Sequence, residues 1–282
     1  MNPDQYCLEK IKASHSNFAL AFLFLNKEKR QALNALYAFC REVDDIVDNY
    51  DNKIYAKKRL DEWRTEINQL YNNKPQHLIS RALLPHIHSF HLRKKYFIEI
   101  IDGMEMDINI NRYDSFKDLE LYCYRAASTV GLLSASIFGY SHQSTLKYAK
   151  DLGIALQLTN IIRDIDEDSF RGRIYIPKEV LNKFGVTEED VFNRSSTFGL
   201  HNMIDTLSVK AQDFYKSSME HLAKEDRHKQ KPGLIMGNIY FTLLKKITKN
   251  NKAKSFEGKI KISSLYKFFI AMTTFFGKTW IN

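Results

Sequence analysis

Two acidic clusters sit in stretches that otherwise read as apolar helix: Asp44-Asp45-Ile46-Val47-Asp48 and, about 120 residues later, Asn160-Ile161-Ile162-Arg163-Asp164-Ile165-Asp166-Glu167-Asp168. In each, the outer aspartates stand four residues apart, which on an α-helix stacks both carboxylates on one face a turn from each other. A buried, unpaired carboxylate is costly and drifts towards its neutral form, so a chain carrying two such stripes needs a cation for them to share. The clusters therefore read as two halves of one metal site.

Going back from Asp168, the positions Asp164, Asn160 and Gln157 continue the polar stripe, while Leu156, Leu158, Ile161, Ile162 and Ile165 are free to pack. The donors are oxygens only, with no His or Cys at matching positions. That set suits Mg²⁺ better than zinc or copper, and Mg²⁺ fills its octahedron with water and phosphate oxygens. A phosphorylated substrate is expected. Di-iron bundles use Glu-x-x-His pairs, and these helices carry none. Basic groups flank both clusters: Arg41 lies one turn before Asp44, and Arg163, Arg171 and Arg173 surround the second. A diphosphate bridged by Mg²⁺ could accept fork-shaped hydrogen bonds from them.

The rest of the chain argues for helix. Only 11 glycines and 5 prolines punctuate 282 residues, and 44% of the residues are hydrophobic, enough for a sizeable core. Apolar residues at Ala32, Leu33, Leu36, Tyr37, Phe39, Cys40, Val43 and Val47 follow the three-and-four spacing of a buried helix over Lys27 to Asn49. Similar patterns predict helices at Tyr55 to Tyr71, Lys95 to Ile108, Leu119 to Phe138, Thr145 to Ile165, Met203 to Ala223 and Leu234 to Ile247. The pattern breaks at Ser169 to Arg173, where Pro177 can open a short new helix, and again at Lys229 to Gly233. The expectation is an all-α, single-domain helical bundle over residues 1–282.

Three widely spaced cysteines, Cys7, Cys40 and Cys123, read as reduced core residues rather than a metal or redox pair. No apolar run is long enough to span a bilayer, and the first residues lack a signal pattern, so a cytoplasmic protein is expected. The net charge of +9 is compatible with nucleic acid, an anionic membrane or a polyphosphate ligand. Much of it lies in Lys245, Lys246, Lys249, Lys252, Lys254, Lys259, Lys261 and Lys267, which read as a solvated surface. The acidic stripes would repel nucleic-acid phosphates in the absence of metal. The aromatic, basic tail from Phe268 to Trp280 reads as a hydrophobic cap on the bundle before it reads as a membrane contact.

Taken with Tyr122-Cys123-Tyr124-Arg125-Ala126-Ala127-Ser128-Thr129-Val130-Gly131 and Arg173-Ile174-Tyr175-Ile176-Pro177, the two clusters resemble the squalene/phytoene synthases, the head-to-head branch of the all-α isoprenoid synthases, from about Tyr6 to Lys261. Asp102 to Asp107 and Leu152 to Asn160 look most like bacterial hopanoid-pathway enzymes that make presqualene diphosphate, as does the short chain without a C-terminal anchor. The resemblance implies an isoprenoid synthase-type bundle with a central cavity. Its activity would be Mg²⁺-dependent condensation of two farnesyl diphosphates to presqualene diphosphate, with Mn²⁺ as a substitute ion and no NADPH. Phytoene synthesis from two geranylgeranyl diphosphates, or full NADPH-dependent squalene synthesis, are the alternatives.

Carried over residue by residue, Asp44, Asp48, Asn160, Asp164 and Asp168 would hold metal. Tyr37, Arg41, Gln157, Arg163, Arg173, Tyr175, Tyr240 and Lys259 would bind substrate, with Arg41 and Tyr122 also catalytic. The proton acceptor would be Tyr122 or the released diphosphate. Lys259 stands where the family pattern has Arg, and Asn17 where it has Ser. Phe18, Phe22, Phe39, Val130, Leu133 and Ile154 are candidate walls of a dry cavity. Implied partners are a prenyl diphosphate and downstream isoprenoid enzymes, with no nucleic acid and at most peripheral membrane contact.

Overall fold

The computed structural model describes residues 2–13, 25–49, 52–193, 197–252 and 260–279. In chain order the helices are α1 (Pro3–Ala13), α2 (Lys27–Asn49), α3 (Lys53–Tyr71), α4 (Leu78–Ser89), α5 (Lys94–Asn109), α6 (Phe116–Cys123), α7 (Thr129–Phe138) and α8 (Ser144–Arg163). They continue with α9 (Ile165–Phe170), α10 (Lys178–Lys183), α11 (Glu188–Phe192), α12 (Phe198–His221), α13 (Lys231–Lys252) and α14 (Ser264–Phe275). Among the described residues there is no strand, only an isolated parallel bridge between Arg112 and Ile174. No helix among them is long and apolar enough to cross a membrane.

Burial follows the sequence pattern. On α2, Ala32, Leu33, Leu36, Phe39, Val43 and Val47 are buried, and the helix spans the predicted range. It packs on α1, α4 and α5 and, with α5, makes one wall of the bundle; α8, flanked by α12 and α13, makes the other. Helix α7 touches both walls and closes one side.

Two predicted helices are interrupted. Leu119 to Phe138 is not one helix: a π turn over Tyr124–Ser128 separates α6 from α7, and the Thr129 N–H reaches back to the Tyr124 carbonyl. Insertions of this kind recur at functional sites. Gly153 of α8 makes the packing here possible, since a Cβ on it would lie 2.5 Å from Ser128 Cα and 2.7 Å from Ser128 N. The second break is at Asp164, whose φ of −104° and ψ of 13° end α8 before α9 begins.

Three features lay outside the sequence pattern. Pro85 lies inside α4 and masks that helix. Pro177 occupies the cap before α10 rather than its first turn, with φ −60° and ψ 141°. The tail forms a helix, α14, capped by Ser263, whose hydroxyl accepts from the Tyr266 N–H. The three cysteines are free, and Cys7 and Cys123 are buried.

Candidate active site

Both acidic stripes occupy C-terminal helix ends, Asp44 and Asp48 on α2 and Asn160 on α8, with Asp164 at the cap between α8 and α9 and Asp168 on α9. The negative end of the helix dipole falls there and favours a cation. The break at Asp164 leaves the second stripe intact, because Asp164 N–H donates to the Asn160 carbonyl (2.8 Å) and Asp168 N–H to the Asp164 carbonyl (2.9 Å). All five residues line one cavity of about 1540 Å³, together with Tyr37, Arg41, Gln157, Arg163, Arg173, Tyr175, Tyr240 and Tyr122. The structure thus brings together every predicted site residue that it describes. Lys259 lies outside the described residues, as do Asn17, Phe18 and Phe22.

Guanidinium groups neutralise these carboxylates. Arg41 donates to Asp44 (2.9 Å) and to Asp45 (2.7 Å). Arg163 grips Asp164 with a fork, Nε to Oδ1 at 2.8 Å and Nη2 to Oδ2. From the loop after α9, Arg171 (2.9 Å) and Arg173 (3.4 Å) both reach Asp48 on α2, so the basic loop ties the two walls together. Gly172, at φ +73°, permits the turn between them, and Arg112 holds it by donating to the Gly172 carbonyl at 2.7 Å.

Burial, then repulsion from neighbouring carboxylates, shifts the acids. Asp44 is pushed up to about 6 by burial and Asp48, and Asp168 up to about 7 by burial and Asp164. Neighbouring carboxylates held this close disfavour full ionisation, and an added cation would relieve that repulsion.

The donor set fits a hard divalent ion shared with a ligand. Among the described residues no three Asp, Glu, His or Cys side chains converge on one point. Mg²⁺ seldom needs that, since one or two carboxylates, water and substrate phosphate usually complete its shell. Asn160 Oδ1 is the direct indication: it is buried with no hydrogen-bond partner, although its own amide reaches Gln157 Oε1 at 3.4 Å. A buried, unsatisfied oxygen in a cavity also lined by aspartates suits a cation.

Asp107 was not foreseen as a site residue. It is buried at 8% exposure, accepts hydrogen bonds from Tyr175 (2.7 Å) and Tyr122 (3.0 Å), and faces the cavity. The two rings stack at 4.9 Å, and Tyr113 stacks on Tyr175 at 6.0 Å. Burial pushes Asp107 up to about 6 and raises Tyr122 and Tyr175 well above the ordinary phenol value. The sequence signal was a lone carboxylate between Met106 and Ile108 on an otherwise apolar face.

A second hollow of about 240 Å³ adjoins the first and is lined by apolar residues, among them Val130, Phe138, Leu152, Leu156 and Met236. Tyr37, Gln157, Asn160 and Tyr240 line both spaces. Of the predicted walls, Val130 lines this chamber, whereas Phe39, Leu133 and Ile154 are fully buried packing residues that border neither space. Lys245, Lys246, Lys249 and Lys261 are exposed, as expected of a solvated surface, and together with the half-buried Lys267 they also line the larger cavity.

Comparison with known proteins places these features in context. The family profile described as squalene/phytoene synthase matches residues 11–265. A presqualene diphosphate synthase of Sinorhizobium fredii is 36% identical over 230 residues, covering 81% of this chain and 82% of that one. A chloroplastic phytoene synthase of an Oncidium hybrid cultivar is 32% identical over 253 residues, covering 88% of this chain. The chain spans about 60% of the length of that plant enzyme. Among solved structures, a dehydrosqualene synthase in complex with ligand superposes with a TM-score of 0.86 at 30% identity, covering 96% of this chain and 95% of that one.

Proposed function

The chain belongs to the squalene/phytoene synthase family of prenyltransferases, and we propose that it joins two farnesyl diphosphates head to head into presqualene diphosphate. One observation carries this reading: a polar, Asp- and Arg-lined cavity opens into an apolar chamber, with Tyr37, Gln157, Asn160 and Tyr240 on the walls of both. That layout matches a molecule with an anionic head and a hydrocarbon tail. The choice of product rests on the 36% identity to a presqualene diphosphate synthase, which extends over about four fifths of both chains.

Asp44, Asp48, Asn160, Asp164 and Asp168 would hold Mg²⁺. When bound, the ion supplies Lewis-acid stabilisation of charge on the departing diphosphate. The chain's own groups do the rest. Arg41, Arg163, Arg171 and Arg173 exchange carboxylate partners for diphosphate oxygens, which accept the same fork-shaped hydrogen bonds. The Lys245, Lys246, Lys249 rim attracts the anionic head and concentrates it at the mouth. The apolar chamber keeps water from the allylic cation left when one C–O bond breaks, so that the second farnesyl double bond traps it. Ring closure releases one proton. Because Tyr122 stays protonated at neutral pH, it orients rather than abstracts, and the released diphosphate takes the proton.

Purified protein should be incubated with farnesyl or geranylgeranyl diphosphate, with and without Mg²⁺ and NADPH, and the lipids identified by mass spectrometry. Mg²⁺-dependent presqualene diphosphate from the shorter substrate alone is the expected product. C40 phytoene from the longer substrate would transfer the enzyme to the carotenoid-type reaction, and no product from either would overturn the proposal.

A further inference from the structure

Helix α14 is apolar on two sides. Its inner stripe, Ile270, Ala271 and Thr274, is buried, and the helix packs against α13. The outer stripe, Leu265, Phe268, Phe269 and Met272, repeats at three- and four-residue intervals and so falls on one face, with Phe276 following at the C-cap. Leu265 is 81% exposed, Phe269 58% and Phe276 80%. A helix apolar all round belongs in a core or in lipid, and exposed aromatic stripes mark interaction sites.

Two further observations say what covers this face. First, α13 and α14 contain no Asp or Glu, yet carry Lys231, Lys245, Lys246, Lys249 and Lys267, with Lys261 and the exposed Lys278 just outside α14. An apolar stripe on a helix pair whose own charged residues are all cations complements an anionic surface with a greasy interior. Second, Ser263 and Tyr266 line both the large cavity and a surface hollow of about 420 Å³ formed with Leu265, Phe268, Phe269 and Met272. The stripe is therefore continuous with the mouth of the cavity.

We propose that the outer face of α14 seats the protein on an anionic lipid bilayer, with the cavity mouth at the headgroup level. Leu265, Phe268, Phe269 and Phe276 enter the acyl boundary, while the lysines meet lipid phosphates. The full chain should be floated with vesicles of phosphatidylcholine alone and with about 30% phosphatidylglycerol, at low salt and at about 0.5 M NaCl. Binding is expected only to the anionic vesicles, weakened by salt. It should fall about tenfold or more in the double variant Leu265→Asp, Phe269→Asp, and also in Phe276→Ser. Circular dichroism should be unchanged, because these side chains are exposed.

Turnover of detergent-dispersed substrate should also be unchanged, so that failure of lipid binding stays distinct from failure of the catalytic proposal. Equal floatation of wild type and variants, or none by wild type, would overturn the inference. So would a concentration-dependent dimer in sedimentation velocity that the same substitutions abolish, since a second copy would then be the occupant.

Discussion

Protons and a divalent cation should compete for Asp168. With a pKa of about 7, set by burial and by Asp164, this carboxylate must lose a proton before it can serve as a ligand. The apparent dissociation constant for Mg²⁺ then scales as one plus the ratio of protonated to ionised Asp168. That factor is about 1.1 at pH 8 and about 11 at pH 6. Affinity should thus fall roughly tenfold between the two, or about 1.4 kcal/mol. Asp44 pulls in the same direction but by less, because 44% of its side chain is open to water, which screens it.

Without metal the sign reverses. Asp168 binds its proton more tightly folded than unfolded, so its contribution to stability is fully present below about pH 4 and is lost as pH rises through about 7. Burial lowers His77 and His86, which act in the opposite sense in mildly acidic solution. The comparison is therefore wild type minus Asp168→Asn, in which the histidines cancel. Calorimetric Mg²⁺ titrations at pH 6, 7 and 8 provide the assay. A dissociation constant that stays within about twofold across that range, or an Asn variant that keeps the wild-type slope, would refute the argument.

Asp107→Asn should leave one tyrosine hydroxyl without its carboxylate acceptor and lower kcat about tenfold or more, with KM little changed, in steady-state assays of the prenyl diphosphate substrate. Arg171→Ala removes an ion pair whose arginine is 54% exposed. Stability in urea should change by less than about 1 kcal/mol, while KM for the diphosphate substrate rises several-fold. Gly153→Ala sets a Cβ 2.5 Å from Ser128 Cα, against backbone that cannot rotate away. The urea midpoint should fall by an amount corresponding to about 1–3 kcal/mol or more. Phe138→Ala enlarges the apolar chamber at a residue that does not line the polar cavity, and competition assays should show the preference moving towards longer prenyl chains.

Much of this was legible in the sequence because period and spacing are local. The α2 boundaries follow from the three-and-four pattern alone, and four-residue spacing put each pair of aspartates on one face. What periodicity cannot see is the void. Phe39 and Val130 both lie on apolar helix faces, yet only Val130 borders the chamber. Which buried side chain meets a hollow depends on how helices from distant parts of the chain cross. The π turn was hidden for a related reason: its register shift is accommodated against Gly153 of α8, more than 20 residues on. Asp107 went unassigned because its partners, Tyr122 and Tyr175, arrive from two other segments. The lysines of α13 looked like plain surface because their position at a cavity mouth depends on how α13 and α14 pack.

The central claim is that the two acidic stripes grip metal and diphosphate between them. Crystals grown with Mn²⁺ and a non-hydrolysable thiodiphosphate analogue of farnesyl diphosphate would test it, read from anomalous scattering. The account predicts metal peaks against Asp44 or Asp48 on one side and Asn160, Asp164 or Asp168 on the other, with Arg171 or Arg173 turned from Asp48 to the diphosphate. Analogue bound without metal between the helices, or with every arginine still on its carboxylate, would contradict it.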